Sequence, residues 1–115
     1  MAEHRDRDAM ADVRRAVYLS PYDQEAHLLL GTLLQRGGHL TEAIDELKIA
    51  VWSKETGAAR AALASAYFDN GDKDAAKREA QRALAIEPEN ADARALLKKI
   101  GGEIISRGDA VSRSS

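Results

Sequence analysis

Laid over itself, the chain repeats. At an offset of 33 positions, Leu30, Gly31, Leu34, Gly38, Ala43, Leu47 and Ala50 fall on Leu63, Ala64, Tyr67, Gly71, Ala76, Ala80 and Ala83, so that large, small and turn-forming positions each meet their own kind. An offset of 34 toward the N-terminus puts Ala43 and Ala50 on Ala9 and Ala16, and Glu55 on Pro21. The same offset toward the C-terminus puts Ala59 and Leu63 on Ala93 and Leu97. A period of about 34 residues constrains the fold strongly, because one such unit cannot bury its apolar face alone and must stack on its neighbours. One residue is missing from the register near Gly57.

Breakers and apolar spacing divide each full copy into two helices around a glycine-bearing turn. The pairs are 24–36 with 40–53 and 57–69 with 73–86. Thr41 and either Asn70 or Asp72 are candidate helix caps, and Asn90 is the expected cap of a helix beginning at Ala91. Pro21 and Pro88 stop the helices before them, since proline disfavours helical geometry in the preceding residue. Abundant alanine and the lack of β-branched runs agree with an all-α chain. Helices cross at a distance set by the side chains between them. Gly31 facing Ala43, and Ala64 facing Ala76, therefore predict close hairpins, with Ala50 and Ala83 at the contact to the next copy. Leu30, Leu34, Ile44 and Leu47 are expected to fill the space between layers.

These positions carry a family resemblance. His27, Leu30, Gly31, Leu34, Ala43, Leu47 and Ala50, followed by Arg60, Leu63, Ala64, Tyr67, Ala76, Ala80, Ala83 and Pro88, resemble the tetratricopeptide repeat pattern W-x2-L-G-x2-Y, A-x3-F, A, P. The resemblance runs over roughly residues 5 to 100 and rests on repetition. It implies a right-handed α-solenoid of antiparallel hairpins, with about six helices. The implied division is a partial repeat contributing its second helix (1–23), two repeats (24–56 and 57–90), a covering helix (91–105) and a disordered tail (106–115). His27 and Arg60 stand in the tryptophan slot, and Glu55 replaces the terminal proline next to the missing residue. The joint between the two copies is accordingly expected to be irregular. Trp52 is expected to pack into it; the alternative is an exposed Trp52 that anchors a partner.

The remaining composition narrows function mainly by exclusion. A net charge of −2 with interspersed signs offers no broad basic field for nucleic acid. The charged N-terminus is unlike a signal peptide and no window reaches the length of a membrane span, so the chain as written is expected to be soluble and cytoplasmic, without membrane insertion. There is no cysteine. His4, His27 and His39 are scattered without ligand spacing, so neither a metal nor a cofactor is expected. His4-Arg5-Asp6 lacks the other parts of a kinase, Gly37-Gly38 lacks the strand and lysine of a phosphate loop, and Arg107-Gly108-Asp109 is a chance-level tripeptide. Carboxylates sit beside Lys and Arg, as in DELK and DKDAAKRE, in the manner of solvated helix faces. No catalytic residue is identified, and the chain is not expected to be an enzyme.

The resemblance implies a concave binding surface lined by the first helix of each pair. The positions left there are Glu25, Leu28, Thr32, Gln35 and Arg36, then Ala58, Ala61, Ser65, Phe68 and Asp69, continued by Asp92 and Lys99. Leu28 and Phe68 are the anchors of a non-catalytic module that binds a peptide or partner protein. Thr32 and Ser65 stand where the carboxylate-clamping members of the family carry asparagine, so a chaperone-tail clamp is not expected. The alternative is a structural or oligomerising segment of a larger repeat protein. Met10, Val13 and Val17 are expected to lie on an uncovered strip that joins a longer array or a second copy. At the other end Leu96, Leu97, Ile100 and Ile104 form the inner face of the covering helix, which Gly101 and Gly102 weaken.

Overall fold

The computed structural model describes residues 2–101, with side chains described from residue 7 onward. The side chains of His4, Arg5 and Asp6, and the segment 102–115 with Ile104 and Arg107-Gly108-Asp109, lie outside the described residues.

Among the described residues every regular element is a helix: α1 (Ala2–Leu19), α2 (Gln24–Arg36), α3 (Leu40–Ser53), α4 (Gly57–Asp69), α5 (Lys73–Ile86) and α6 (91–101). Helices α2 to α5 span the ranges the repeat predicts. Each of α1 to α5 packs on its sequence neighbours, and α2 also touches α4. The first helices of successive pairs thus lie side by side in a solenoid-like stack of antiparallel hairpins.

The turns and caps repeat with the fold. Gly38 and Gly71, at φ +84° and +87°, take the left-handed conformation that lets the chain reverse between the two helices of a pair. The first helix of each pair is capped by a side chain: Asp23 accepts from the Glu25 amide, Thr56 from Ala59 at 3.0 Å, and Asn90 from Ala93 at 2.9 Å. The second helices have no such cap; α3 and α5 begin after His39 and Asp72 without a side-chain hydrogen bond. Thr41 lies inside α3 and is not the cap expected of it, whereas Asn70 is the C-cap of α4 and Asp72 stands at the N-cap of α5.

Three buried clusters follow the stack. Val13, Leu30, Leu33, Leu34 and Ala43 join α1 to the first pair; Ile44, Leu47, Leu63 and Ala66 lie between pairs; Ala61, Ala64, Ala80, Ala83 and Ala93 join α4, α5 and α6. The small positions set the spacing: a Cβ on Gly31 would stand 2.6 Å from the Leu47 side chain and 3.3 Å from the Ala43 carbonyl. Met10, Val13 and Val17 do not form the uncovered strip expected of them. Val13 is buried, and Met10 and Val17 pack partly covered on the first cluster, because α2 offers its Leu30 and Leu33 side to α1.

The missing residue shows in the joint between the pairs. Residues 54–56 connect α3 to α4, whereas 20–23 and 87–90, one residue longer, connect the other joints. Gly57 sits where even a Cβ would come within 2.5 Å of Glu87, and Thr56 bonds to Gln24 across the pairs at 3.3 Å. Trp52 is 75% exposed rather than packed into the joint, and its ring meets Tyr22 at 6.4 Å instead.

Candidate functional site

The first helices α2, α4 and α6 line a groove of about 480 Å³. Of the residues expected on the concave row it brings together Thr32, Gln35, Ala58, Ala61, Ser65, Asp92 and Lys99, and it adds Ala62, Asn90, Ala95 and Leu96. Ala61 belongs equally to the α4–α5–α6 cluster and is buried, so it contributes floor rather than a free side chain. Thr32 turns its hydroxyl back to the Leu28 carbonyl at 2.9 Å.

The polar residues of the row are partly engaged with one another. The Gln35 amide donates to Ser65 Oγ at 3.0 Å and to Asp69 Oδ2 at 2.8 Å, tying α2 to α4 across the face. Phe68 is half-buried, with Lys99 Nζ 5.1 Å and Lys73 Nζ 6.0 Å from its ring centroid, a cation–π arrangement at the edge of the groove. Arg36 is exposed at the end of α2. Glu25 and Leu28 line a different depression, of about 460 Å³, between α1 and α2, with Val13, Ala16 and Leu29. Thr32 lines both depressions, so the expected row runs through two adjoining hollows, with Leu28 in one and Phe68 at the edge of the other.

The tryptophan slots hold an arrangement the sequence reading missed. His27, 4% exposed, places Nδ1 2.7 Å from Glu46 Oε1 and Nε2 2.6 Å from the Pro21 carbonyl. Arg60, in the same slot of the next pair, meets Glu79 Oε1 at 2.6 Å and Glu55 Oε2 at 2.6 Å. Arg94 follows in the third copy, with Nε 3.0 Å from the Pro88 carbonyl. One cationic or basic side chain per copy therefore clamps the start of the first helix to the joint before it. In the two full pairs it also bonds a glutamate of the second helix. Burial pushes the His27 pKa down, but the bonds to Glu46 and Pro21 and the charges of Glu46 and Asp23 outweigh it, and the net shift is upward. For Arg60 burial likewise lowers the pKa, but Glu79 and Glu55 outweigh it and the net shift is again upward. Glu79 is buried by this pairing, unlike the solvated carboxylates expected along the helices. The available signal was the common offset of 33 between His27 and Arg60 and between Glu46 and Glu79.

Among the described residues no group of three or more His, Cys, Asp or Glu side chains could hold a metal ion, and no helix is long and apolar enough to cross a membrane.

Comparison with known proteins places this geometry. A family model described as tetratricopeptide repeat matches residues 57–100, the second hairpin and α6. The solved structure of TTC0263, a thermophilic TPR protein of Thermus thermophilus, is 26% identical, with a TM-score of 0.78 over 85% of this chain and 50% of that one. The crystal structure of MamA is 27% identical, with a TM-score of 0.79 over 90% of this chain and 61% of that one. The chain thus spans one half to about three fifths of the length of these two structures. No curated protein matches it in sequence. Two stacked hairpins with small residues at their crossings, glycine reversals one period apart, and agreement with the repeat model over residues 57–100 and with both structures give this chain a TPR-like fold.

Proposed function

We propose that the chain is a non-catalytic protein-interaction module that holds a peptide or partner segment in the groove between α2, α4 and α6. The observation that supports this reading most is the groove itself: a concavity of about 480 Å³ whose walls come from successive first helices, the face that stacked repeats use as an extended binding surface. Its floor is small and apolar, with Ala58, Ala61 and Leu96, and its polar groups are Thr32, Ser65, Asp92 and Lys99.

The chemistry of the walls refines the ligand. The Gln35–Ser65–Asp69 bonds close one stretch of the face, so a ligand draws its polar contacts from Asp92 and Lys99 rather than from Gln35 and Asp69. An acceptor on the ligand competes with the Phe68 ring for Lys99, which leaves the ring free to take an apolar side chain. The test is selection of peptides from a display library on the immobilised protein, followed by titration against the parent, Phe68→Ala and Lys99→Glu. Loss of affinity in both variants is expected. Equal affinities for all three would remove the groove from the mechanism.

A further inference from the structure

The end of the stack where α1 and α3 terminate presents a second surface. Tyr18, Leu19, Tyr22 and Trp52 are exposed there at 83, 72, 77 and 75%. The Tyr22 and Trp52 rings lie 6.4 Å apart and tilted by 49°, in direct aromatic contact, and form one continuous exposed patch. Tyrosine and tryptophan in this situation are typical of interface anchors, since they offer large rigid area at small entropic cost.

The exposed charges around the patch are mainly basic. Lys48 stands one turn before Trp52 on the same face of α3, Lys54 is the residue that closes α3, and Arg14 and Arg15 stand one turn before Tyr18 and Leu19 on α1. All four are exposed. Arg14 reaches only the Met10 sulfur at 3.8 Å, and Arg15, Lys48 and Lys54 form no ion pair with a described residue. Of the carboxylates within one turn of Tyr22 and Trp52, Glu55 pairs with Arg60, while Asp23, which holds the amide that opens α2, and Glu25, which lines the depression between α1 and α2, remain exposed. The four exposed cations outnumber these two carboxylates, so the surface is positive and aromatic on a chain whose net charge is −2.

We propose that this surface docks an acidic segment of a partner protein, with an aliphatic side chain packed against the Tyr22–Trp52 pair and flanking carboxylates on Lys48, Lys54 and Arg15. Charge complementarity selects the partner's sign. The site is separate from the groove of α2, α4 and α6.

Trp52 is the only tryptophan, so its emission reports on this surface directly. The probe is a short synthetic peptide of glutamate and leucine, free of aromatic residues, titrated into the whole chain. Parallel titrations use the lysine–leucine counterpart and phosphatidylserine vesicles. The expected result is a saturable blue shift with the glutamate–leucine peptide. Its affinity should weaken about tenfold or more in K48E/K54E and also fall with salt, with no change in Phe68→Ala. Circular dichroism of K48E/K54E confirms that the variant is folded. No shift, an equal shift with the lysine–leucine peptide, or a shift with vesicles alone would overturn the proposal.

Discussion

His27 makes the first hairpin sensitive to pH in a way the second is not. Both of its ring nitrogens face acceptors, the Glu46 carboxylate and the Pro21 carbonyl. A neutral imidazole has one N–H and can serve only one of them, whereas the imidazolium serves both. The folded pKa is raised above the ordinary value of 6.5, so the stabilisation is fully present below that pH and is lost as pH rises through the folded value. From α3 the ring faces Glu46, and from the turn before α2 it feels Asp23; α1 meets this hairpin through apolar Val13, Met10 and Val17. The magnitude follows from one charged hydrogen bond replaced by an unserved acceptor. The His27 side chain is 5% exposed, but Glu46 at 24% can turn partly to water, which limits the loss to about 1–2 kcal/mol. For a domain of this size that corresponds to about 5–15 °C in Tm. Thermal melts followed by circular dichroism from pH 5.5 to 9 should therefore fall with rising pH. His27→Arg, which copies Arg60 against the equivalent glutamate, should flatten that fall. An identical pH slope in parent and His27→Arg, or a Tm that climbs across this range, would refute the reasoning.

Other variants test the remaining contacts. Ala76→Leu, at a position with no exposed surface, should overpack the second hairpin by about 1–3 kcal/mol, while Ala85→Leu on the exposed side of the same helix should leave the melt nearly unchanged. Glu79→Ala removes one carboxylate from Arg60 and leaves Glu55, so urea denaturation should show a loss of about 1–3 kcal/mol rather than the full cost of an abandoned buried charge. Gly38→Ala meets no atom within 4 Å, so its cost is backbone strain alone, about 1–2 kcal/mol at φ +84°, and the same measurement reads it.

The groove and the aromatic end differ in how legible they are from sequence. Thr32, Ser65 and Lys99 can be placed on one face because helical spacing fixes direction once the register of the repeat is known. The division of that face into two adjoining hollows cannot. Whether Gln35 points to a ligand or to Asp69 depends on the distance between α2 and α4, which no local pattern contains. The tryptophan slot is obscure for a similar reason. His27 and Arg60 look like isolated substitutions in the sequence, although each is half of a pair whose glutamate lies on the next helix, 19 positions on.

Sequence by itself determined the helix hairpins, their order and their close crossings. Those depend on interactions that recur at short range: glycine reversals at Gly38 and Gly71, small residues at Gly31, Ala43, Ala64 and Ala76, and apolar spacing along each helix. Only the tertiary structure decided where Trp52 and the strip of Met10, Val13 and Val17 would go. Each depended on how neighbouring elements lie. Across a joint shorter by one residue Trp52 turns outward to meet Tyr22, while the Leu30 and Leu33 side of α2 holds α1 against it. That arrangement is set by the packing of whole helices, and the residue itself does not carry that information.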